Sequence, residues 1–543
     1  MFSQKNKHKN HLHQSAPTAA LLLLLYIAAT FFKAPVFFLK PRFWAEEGVV
    51  YFLQGRAINF TETLTAMPLG YLSFPANLAG WLSAQLPLYY APIGGLAVSL
   101  AIQLLIPCVV IANQYFDNNR MKQAAFLLIP LLVFQSSETW LNSINSQFWM
   151  ILAVAIIVSA PPKSNSLFVG GLNFCVALVA GLSGPGSAFL VPLFFIRALR
   201  EKRVIWLLFS LASSTGALLV LNQQGNSREL SFPLDIFGIF AFFHLFFDNV
   251  CIRCAIAAHP LLREHGLIGT ALAVLVFTAY LFFWRRVDAC GRWLLSASMV
   301  LMVLSFASML GKDMILDAPP FFASRYFFAP ATLFFGGLLT GVFTGRLTET
   351  AIIIVFSING IFSSFFYPVV GQHAGSTWRE SVSKFNQQLT EVVYFEPGFC
   401  AFSAKPQPRE DKVKFFSASK DGFIFNANTS SIENKKLFLY RQAAGLHAWE
   451  AGAPHWHEGG LFMYGTEKYG LCYGGDAHAW AAEGRSSDGQ IKILESDLGP
   501  LEGYRFLIGF GDDFAAMLAK KDYLIIEGAQ LLNAQEKDGL RAR

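Results

Sequence analysis

The 543-residue chain is too apolar to be a single water-soluble domain. It is 54% hydrophobic, 15% aromatic and only 14% charged, whereas soluble domains carry about a quarter charged residues. The composition excludes intrinsic disorder and a fibrous repeat. The long apolar runs indicate an integral membrane protein.

The formal net charge of +6 hides an uneven distribution. Residues 1–371 contain 23 basic and 14 acidic residues, and residues 372–543 contain 19 basic and 22 acidic residues. Basic residues in a membrane protein usually lie in cytoplasmic loops, so they do not indicate nucleic-acid binding. We therefore predict a lipid-embedded domain over residues 1–371, a soluble domain over residues 372–543, and no nucleic-acid partner.

The first apolar run, residues 18–39, follows a polar N-terminus that contains three lysines. It is longer than the core of a signal peptide and lacks a convincing cleavage site, so we predict a retained first transmembrane helix with a cytoplasmic N-terminus. Ten further spans are predicted at residues 90–112, 121–134, 140–160, 167–182, 188–199, 204–221, 266–284, 293–310, 327–343 and 351–369.

Eleven spans agree with the distribution of basic residues. The clusters within residues 197–203 and 285–292 both become cytoplasmic, as expected for a multi-pass protein. This holds only if the apolar segment 237–258 does not cross, so we interpret it as a periplasmic or re-entrant helix. An odd number of spans predicts that the domain 372–543 is periplasmic.

The C-terminal domain is predicted to be β-rich. It has no long apolar run and contains short strand-like segments between turn residues. These segments are residues 413–416, 422–425, 436–440, 491–494 and 505–510, and residues 512–520 are typical of a helix.

The seven cysteines divide between the two domains. Cys400 and Cys472 are the only two in the C-terminal domain, and an exported pair predicts a disulfide. Cys251 and Cys254 form a C-x-x-C inside an apolar segment without thioredoxin-like surroundings, which does not favour redox chemistry.

The loop after the first span contains the most informative polar residues. Residues 40–48 read Lys-Pro-Arg-Phe-Trp-Ala-Glu-Glu-Gly, so Glu46 and Glu47 stand next to Arg42 and Trp44 at the membrane surface. A solvated loop with an interfacial tryptophan anchor is the alternative interpretation. Adjacent carboxylates are nevertheless an unusual choice in a chain with so little charge.

Four segments together resemble the GT-C class of membrane glycosyltransferases. The Trp-Ala-Glu-Glu-Gly of residues 44–48 resembles a signature of bacterial members of that class, and three further segments resemble the same proteins. These are Asn-Ser-Ile-Asn-Ser-Gln-Phe-Trp at residues 142–149, Ser-Gly-Pro-Gly at residues 183–186 and Ser-Arg-Tyr-Phe at residues 324–327. The resemblance covers the membrane body and ends before the C-terminal domain.

The resemblance implies an inverting glycosyltransferase at the outer face of the inner (cytoplasmic) membrane. Its donor would be a polyprenyl-phosphate-linked sugar, and its acceptor a glycan, a lipid or a protein. Glu46 or Glu47 would act as the base. The residues implied to bind phosphate or sugar are Arg42, Arg325, Tyr326, Asn142, Asn145, Gln147 and Lys312, with Lys33 as a possible assistant.

The sequence departs from the class pattern in its acidic loop. Many members have Asp-x-Asp or Asp-Asp there, sometimes with a divalent metal, whereas this chain has two adjacent glutamates. A divalent metal is therefore compatible with the loop but has no support in the sequence. The His-Trp-His of residues 455–457 and the Asp-Ala-His of residues 476–478 could contribute metal ligands, but no third and fourth ligand is fixed by spacing.

Two other functions stay open at the level of sequence. A transporter or flippase for lipid-linked glycans would also have a basic membrane body and polar helix ends. We find no convincing internal repeat, which many transporters show. A non-catalytic membrane scaffold whose C-terminal domain binds a partner is the third alternative.

Overall fold

The computed structural model describes residues 3–68, 70–160, 166–221, 233–251, 254, 266–308, 324–342, 345–366, 369 and 374–389, and after them eleven strands and residues 530, 531 and 533. Up to residue 389 the described chain is mainly helical. Its α-helices are α1 Ser3–Lys33, α2 Pro35–Leu39, α3 Leu53–Ala57, α4 Phe60–Thr65, α5 Phe74–Ala84, α6 Pro92–Ala112, α7 Arg120–Leu132, α8 Ser136–Thr139, α9 Ser146–Ser159, α10 Leu167–Gly181, α11 Val191–Glu201, α12 Ile205–Leu221, α13 Leu234–Phe242, α14 Asp248–Val250, α15 Gly266–Arg286, α16 Ala289–Ser308, α17 Phe328–Val342, α18 Leu347–Phe366 and α19 Ala374–Asn386.

Shorter helical turns connect several of these helices. Two are π-helices, at Glu47–Phe52 and Phe243–Phe247. The 3₁₀ turns are Leu88–Tyr90, Tyr115–Asn118, Pro185–Leu190 and Ser324–Phe327.

The chain divides into two compact units. The first unit comprises Met1–Pro41, Thr61–Ala79 and Ile93–Gln372, and the second comprises Arg42–Phe60, Gly80–Pro92 and His373–Arg543. The loop that contains Glu46 and Glu47 therefore belongs to the same unit as the C-terminal region. The sequence-based division placed all of residues 1–371 in one domain.

The first unit is a helical bundle, as the sequence predicts. Among the described residues, three helices are long and apolar enough to cross a membrane, at Leu88–Ala112, Leu267–Arg286 and Ala289–Ala307. Five shorter apolar helices accompany them, and their bounds are Pro17–Lys33, Ser146–Ser159, Leu167–Gly181, Ile205–Val220 and Leu347–Ser363.

The predicted count of eleven spans is not supported by these lengths. Each of the eleven predicted segments contains a helix, but most of the helices are short. The segment predicted at residues 140–160 becomes helical only at Ser146. Leu141, with a φ of 44°, cannot be part of a right-handed helix. A helix of 14 residues rises about 21 Å, which is less than the apolar thickness of a bilayer.

Helices α9 and α17 lie at the centre of the first unit. Every residue of α9 except Gln147 is buried, and α17 is buried from Phe328 to Gly341. The two helices pack against each other, and α16 packs against both. Such uniformly apolar helices are expected in the interior of a bundle rather than at its lipid-facing surface.

The second unit contains the strands. They are β1 Val392–Phe395, β2 Cys400–Ser403, β3 Val413–Ser419, β4 Gly422–Ala427, β5 Lys436–Ala443, β6 Phe462–Thr466, β7 Gly470–Gly474, β8 Ala479–Trp480, β9 Gln490–Leu494, β10 Tyr504–Gly511 and β11 Tyr523–Glu527. All five strand segments named from the sequence occur as strands, whereas the predicted helix at residues 512–520 lies outside the described residues.

The strands pair antiparallel in three sheets. Their orders are β1-β2-β7-β6, β11-β10-β5-β8 and β3-β4-β9. The first sheet belongs with the acidic loop, because β2, β6 and β7 pack against the π-helix Glu47–Phe52. Helix α19 packs against β1 and against the turn Leu88–Tyr90 in the same unit.

Cys251 and Cys254 form a disulfide directly after α14. The C-x-x-C spacing alone did not predict this bond. Cys254 is exposed and Cys251 is half-buried.

Helices α10 and α12 approach closely at Gly181 and Gly216. A Cβ on Gly181 would overlap the carbonyl oxygen of Ala212, and a Cβ on Gly216 would overlap that of Gly181. We therefore expect Gly181→Ala to lower stability by about 1–3 kcal/mol through overpacking. Thermal unfolding of the purified protein in detergent measures the effect. Gly171→Ala in the same helix meets no atom within 4 Å and is the control, and equal unfolding temperatures for the two variants would contradict the close approach.

The register of the first sheet generates a prediction about the C-terminal cysteines. Cys400 on β2 is the direct antiparallel partner of Cys472 on β7, and directly opposed residues have Cα atoms about 4.5–5.5 Å apart, within the range of a disulfide. We expect the bond to form and to stabilise the unit by about 4 kcal/mol.

Counting thiols in the unfolded, unreduced full chain tests the Cys400–Cys472 bond. Cys108, Cys175 and Cys290 are free, so three labelled thiols are expected. Five labelled thiols, with Cys400 and Cys472 among the modified peptides, would show that the bond is absent.

Candidate functional site

The acidic loop of the second unit is buried and locally strained. Arg42, Glu46 and Glu47 are each at most 7% exposed, although their side chains are charged types that are seldom buried without a partner. Ala45, between the tryptophan and the glutamates, has a φ of 47°. A positive φ at a non-glycine residue costs energy and is often found at functional sites.

Glu47 holds this loop together. Its Oε2 accepts a hydrogen bond from the backbone N–H of Trp44 at 2.9 Å, and the same oxygen lies 3.9 Å from Nη1 of Arg42. Glu47 also begins the π-helix Glu47–Phe52, where a carboxylate is favoured by the exposed N–H groups of a first helical turn. Glu47 therefore fixes the backbone that precedes it, and Glu46 is presented on the same turn.

Arg42 supplies the positive charge of the loop. Burial lowers the pKa of Arg42 to about 10, and the negative charge of Glu47 opposes this shift. The guanidinium is therefore still protonated at neutral pH. It also lies over the ring of Trp44, with 5.3 Å between its central carbon and the ring centroid. This cation–π contact restricts the orientation of the guanidinium group.

Aromatic packing and one close backbone contact fix the π-helix in the second unit. Phe43 and Phe52 both meet Trp378 of α19 edge to face, with centroid distances of 4.9 Å and 6.5 Å. A Cβ on Gly80 would overlap the carbonyl oxygen of Tyr51, so only glycine allows this approach of α5. The acidic loop is thus held on a rigid support rather than on a free surface loop.

The first unit has its own polar cluster, at the N-terminal ends of α9 and α17. The Asn-Ser-Ile-Asn segment directly precedes α9, and the turn Ser324–Phe327 directly precedes α17. Aromatic contacts join the two starts: Trp149 lies 4.5 Å from Phe328, and Phe148 lies 5.4 Å from Tyr326, measured between ring centroids. Two of the segments that resemble the glycosyltransferase class are therefore neighbours.

Glu138 connects these two helix starts. Its carboxylate forms a close ion pair with Nη1 of Arg325. It also accepts hydrogen bonds from the backbone N–H of Arg325 at 3.1 Å and from the hydroxyl of Ser324 at 3.2 Å. The guanidinium of Arg325 lies 5.4 Å from the ring centroid of its neighbour Tyr326, so Arg325 is held between a carboxylate and an aromatic ring.

The amides predicted to bind sugar contribute mainly to the structure of this segment. Asn142 accepts from the backbone N–H of Ile144 at 3.0 Å, and Asn145 donates to the carbonyl of Glu138 at 3.0 Å. The Nδ2 of Asn142 is buried and has no hydrogen-bond partner among the described residues, which is costly unless a ligand supplies one. Gln147 lies against Gly184, where a Cβ would be 2.7 Å from its Oε1.

Gly184 begins the tight turn predicted for the Ser-Gly-Pro-Gly segment. Its φ is 117°, and the 3₁₀ turn Pro185–Leu190 follows it. The conformation requires glycine.

Lys33, the last residue of α1, lies beside α8. Its Nζ donates to the carbonyl of Leu131 and to the hydroxyl of Ser136, both at 2.5 Å, and lies 4.5 Å from the ring centroid of Trp140. The short helix α8 therefore contacts the Lys33 amino group at its N-terminal residue and the Arg325 guanidinium at Glu138.

A buried histidine and a buried aspartate contact Gln135, the residue that precedes α8. His244 Nδ1 is 2.7 Å from Asp248 Oδ2. Gln135 donates to the carbonyl of His244 at 2.7 Å and to Asp248 at 3.3 Å, and Asn249 donates to the Oε1 of Gln135 at 3.1 Å. The ring of His244 packs 4.8 Å from that of Phe327, the last residue of the turn that contains Arg325.

The predicted site residues therefore form two groups, one in each unit. Arg42, Glu46 and Glu47 belong to the second unit, while Asn142, Asn145, Gln147, Arg325 and Tyr326 belong to the first. Lys312 and the histidine motifs at residues 455–457 and 476–478 lie outside the described residues. Among the residues that are described, no group of three or more His, Cys, Asp or Glu side chains is placed to hold a metal ion.

Sequence reasoning missed Glu138, although a signal for it exists. Glu138 is the only acidic residue between Asp117 and Glu201, and an isolated carboxylate in an apolar body is a functional candidate with a partner to be found. Gln135 and Asn249 were also missed, and their spacing of more than 100 residues offers no local pattern from which they could be paired.

Comparisons with protein-family models, with curated proteins and with solved structures found no match. The resemblance of the four segments to glycosyltransferases therefore stays a prediction.

Proposed function

We propose that the protein is an integral membrane glycosyltransferase that transfers a sugar from a polyprenyl-phosphate donor to a hydroxyl of a glycan, lipid or protein acceptor. The observation that carries the proposal is the buried acidic loop. Two carboxylates and one guanidinium are buried between Arg42 and Glu47, beside a strained Ala45. A chain with 14% charged residues gains no solubility from such an arrangement, and buried charges of this kind are typical of active sites.

We assign the role of the base to Glu46 and a structural role in the loop to Glu47. The Oε2 of Glu47 is engaged by the Trp44 backbone and lies beside Arg42, so its charge maintains the loop. In the proposed reaction, Glu46 takes the proton of the acceptor hydroxyl as the acceptor oxygen bonds to the anomeric carbon. The bond from that carbon to the phosphate oxygen breaks, and the polyprenyl phosphate leaves with the electron pair. Inversion follows from this single displacement.

The departing phosphate requires positive charge. Arg42 in the second unit or Arg325 in the first is the candidate source of this charge, and a guanidinium group suits phosphate because it can donate two parallel hydrogen bonds. The buried Nδ2 of Asn142 is the kind of donor that a sugar hydroxyl would satisfy. These features support the proposal from each unit separately.

One observation favours a transporter of lipid-linked glycans as the second candidate. His244 and Asp248 form a buried pair within an apolar bundle, and ionisable residues inside a membrane often mark transport or proton pathways. The two functions predict different outcomes, because a transporter moves the lipid-linked sugar without breaking its bond to phosphate.

We further propose that the protein lies in the inner membrane with an odd number of crossings and that residues 372–543 form a β-rich periplasmic domain. The basic clusters at residues 197–203 and 285–292 support the orientation, since positive residues favour the cytoplasmic side.

Reporter fusions test the orientation. Fusions after Arg203 and Arg286 should be active only for a cytoplasmic reporter, and a fusion after Arg543 only for a periplasmic one, because an odd number of crossings separates the termini. A cytoplasmic signal at Arg543 would overturn the proposed topology.

The roles of the two glutamates can be separated by amide substitutions. Glu46→Gln keeps size and hydrogen-bonding capacity but removes basicity, so sugar transfer should fall on the order of a hundredfold or more with the protein still folded. Glu47→Gln weakens the contacts to Trp44 and Arg42, so it should lower the unfolding temperature as well as transfer.

Transfer is measured in membranes at matched expression. The exposed Glu62 on α4 provides the control, and Glu62→Gln should leave both properties unchanged. Near-normal transfer by both Glu46→Gln and Glu47→Gln would exclude the loop as the catalytic centre. Movement of an intact labelled lipid-linked sugar across vesicles would then favour the transporter.

A further inference from the structure

Arg325 owes its orientation to a residue that no sequence motif identifies. Its guanidinium is paired with Glu138, and its own backbone N–H and the hydroxyl of Ser324 donate to the same carboxylate. A guanidinium is planar and has five N–H groups in fixed directions. Holding one of its nitrogens therefore sets the directions of all the others.

Glu138 is itself held on several sides. Its carbonyl accepts from Asn145 at 3.0 Å, and the carbonyl of the next residue, Thr139, accepts from the indole of Trp149 at 3.0 Å. At the other end of α8, Lys33 donates to Ser136. The carboxylate is thus presented by a four-residue helix that neighbouring elements of the first unit fix in place.

We propose that Glu138 is the positioning residue for Arg325, and that the pair orients the guanidinium toward the phosphate of a polyprenyl-phosphate donor. This inference rests on the proposed function for the identity of the ligand. Glu138 does not contact the donor. It determines how Arg325 meets the phosphate.

The first unit contains a matched ion pair that allows a controlled test. Arg286 Nε lies 2.8 Å from Glu349 Oε1, and the Arg286 side chain is 30% exposed, the same fraction as that of Arg325. Among the residues that the structure describes, none of the predicted site residues contacts this second pair. Removing its charge should affect stability without affecting the donor.

Single amide substitutions provide the first part of the experiment. Glu138→Gln should raise the KM for the lipid-linked donor roughly tenfold or more, as expected for a weakened charge-assisted contact, with a smaller change in kcat. Glu138→Asp shortens the side chain but keeps its charge and should recover part of the loss. Glu349→Gln should lower the unfolding temperature and leave KM unchanged.

Exchange of the two charges separates positioning from simple structural support. The double variant Glu138→Arg with Arg325→Glu can re-form the ion pair and should recover the unfolding temperature lost in either single variant. It places the guanidinium on the wrong element, so the donor KM should stay high. Recovery of normal KM by the double variant would overturn the proposal, because the pair would then be structural only.

A binding measurement keeps this inference distinct from the proposed function. If the wild-type chain transfers no sugar, glycosyl transfer is excluded, and binding of an unsubstituted polyprenyl phosphate to the purified full-length protein becomes the readout. Weaker binding by Glu138→Gln and Arg325→Gln, with normal binding by Glu349→Gln, would support the positioning role. Equal binding by all of these proteins, or none by the wild type, would refute it.

Discussion

The contact between Glu138 and Arg325 joins the two elements around which the first unit is built. Helices α9 and α17 are almost wholly buried, and each begins with a polar segment whose N–H and C=O groups need partners. Charged residues in an apolar interior are stable only when paired and hydrogen-bonded. The carboxylate of Glu138 accepts hydrogen bonds from the turn before α17. Asn145 and Trp149, at the start of α9, donate hydrogen bonds to the carbonyls of Glu138 and Thr139.

The acidic loop of the second unit stabilises its charged side chains in a similar way. Glu47 pairs with Arg42 and also accepts from a backbone N–H, as Glu138 does with Arg325 in the first unit. Each group contains one apolar residue with positive φ, Ala45 in the loop and Leu141 before α9. In each group, a strained backbone residue therefore stands close in sequence to an ion pair.

Features that a continuous stretch of sequence determines could be predicted. Contacts between residues that are far apart in the sequence could not. Apolar runs located α6, α10 and α12 to within a few residues, because apolar composition varies over the length of a whole helix. The late start of α9 was missed, since the positive φ of Leu141 leaves no signal in the apolar pattern. The acidic loop was recognised by its local pattern, whereas the pairing of Glu138 with Arg325 joins residues 187 apart and leaves no local trace. Span number was overestimated because hydropathy reports apolar character and not the length that remains helical.

The second unit is assembled from distant stretches of chain, and this has a consequence for the order of events during synthesis. The π-helix Glu47–Phe52 packs against β2 and β7, yet β2 begins only at Cys400, roughly 350 residues later. At translation rates of about 5–20 residues per second, the acidic loop therefore waits between roughly 15 and 70 seconds for its sheet. During this interval the helices of the first unit are already emerging. The two glutamates therefore reach their final surroundings only after β2 has been synthesised, and a chain whose translation stops before Cys400 has an incomplete acidic loop.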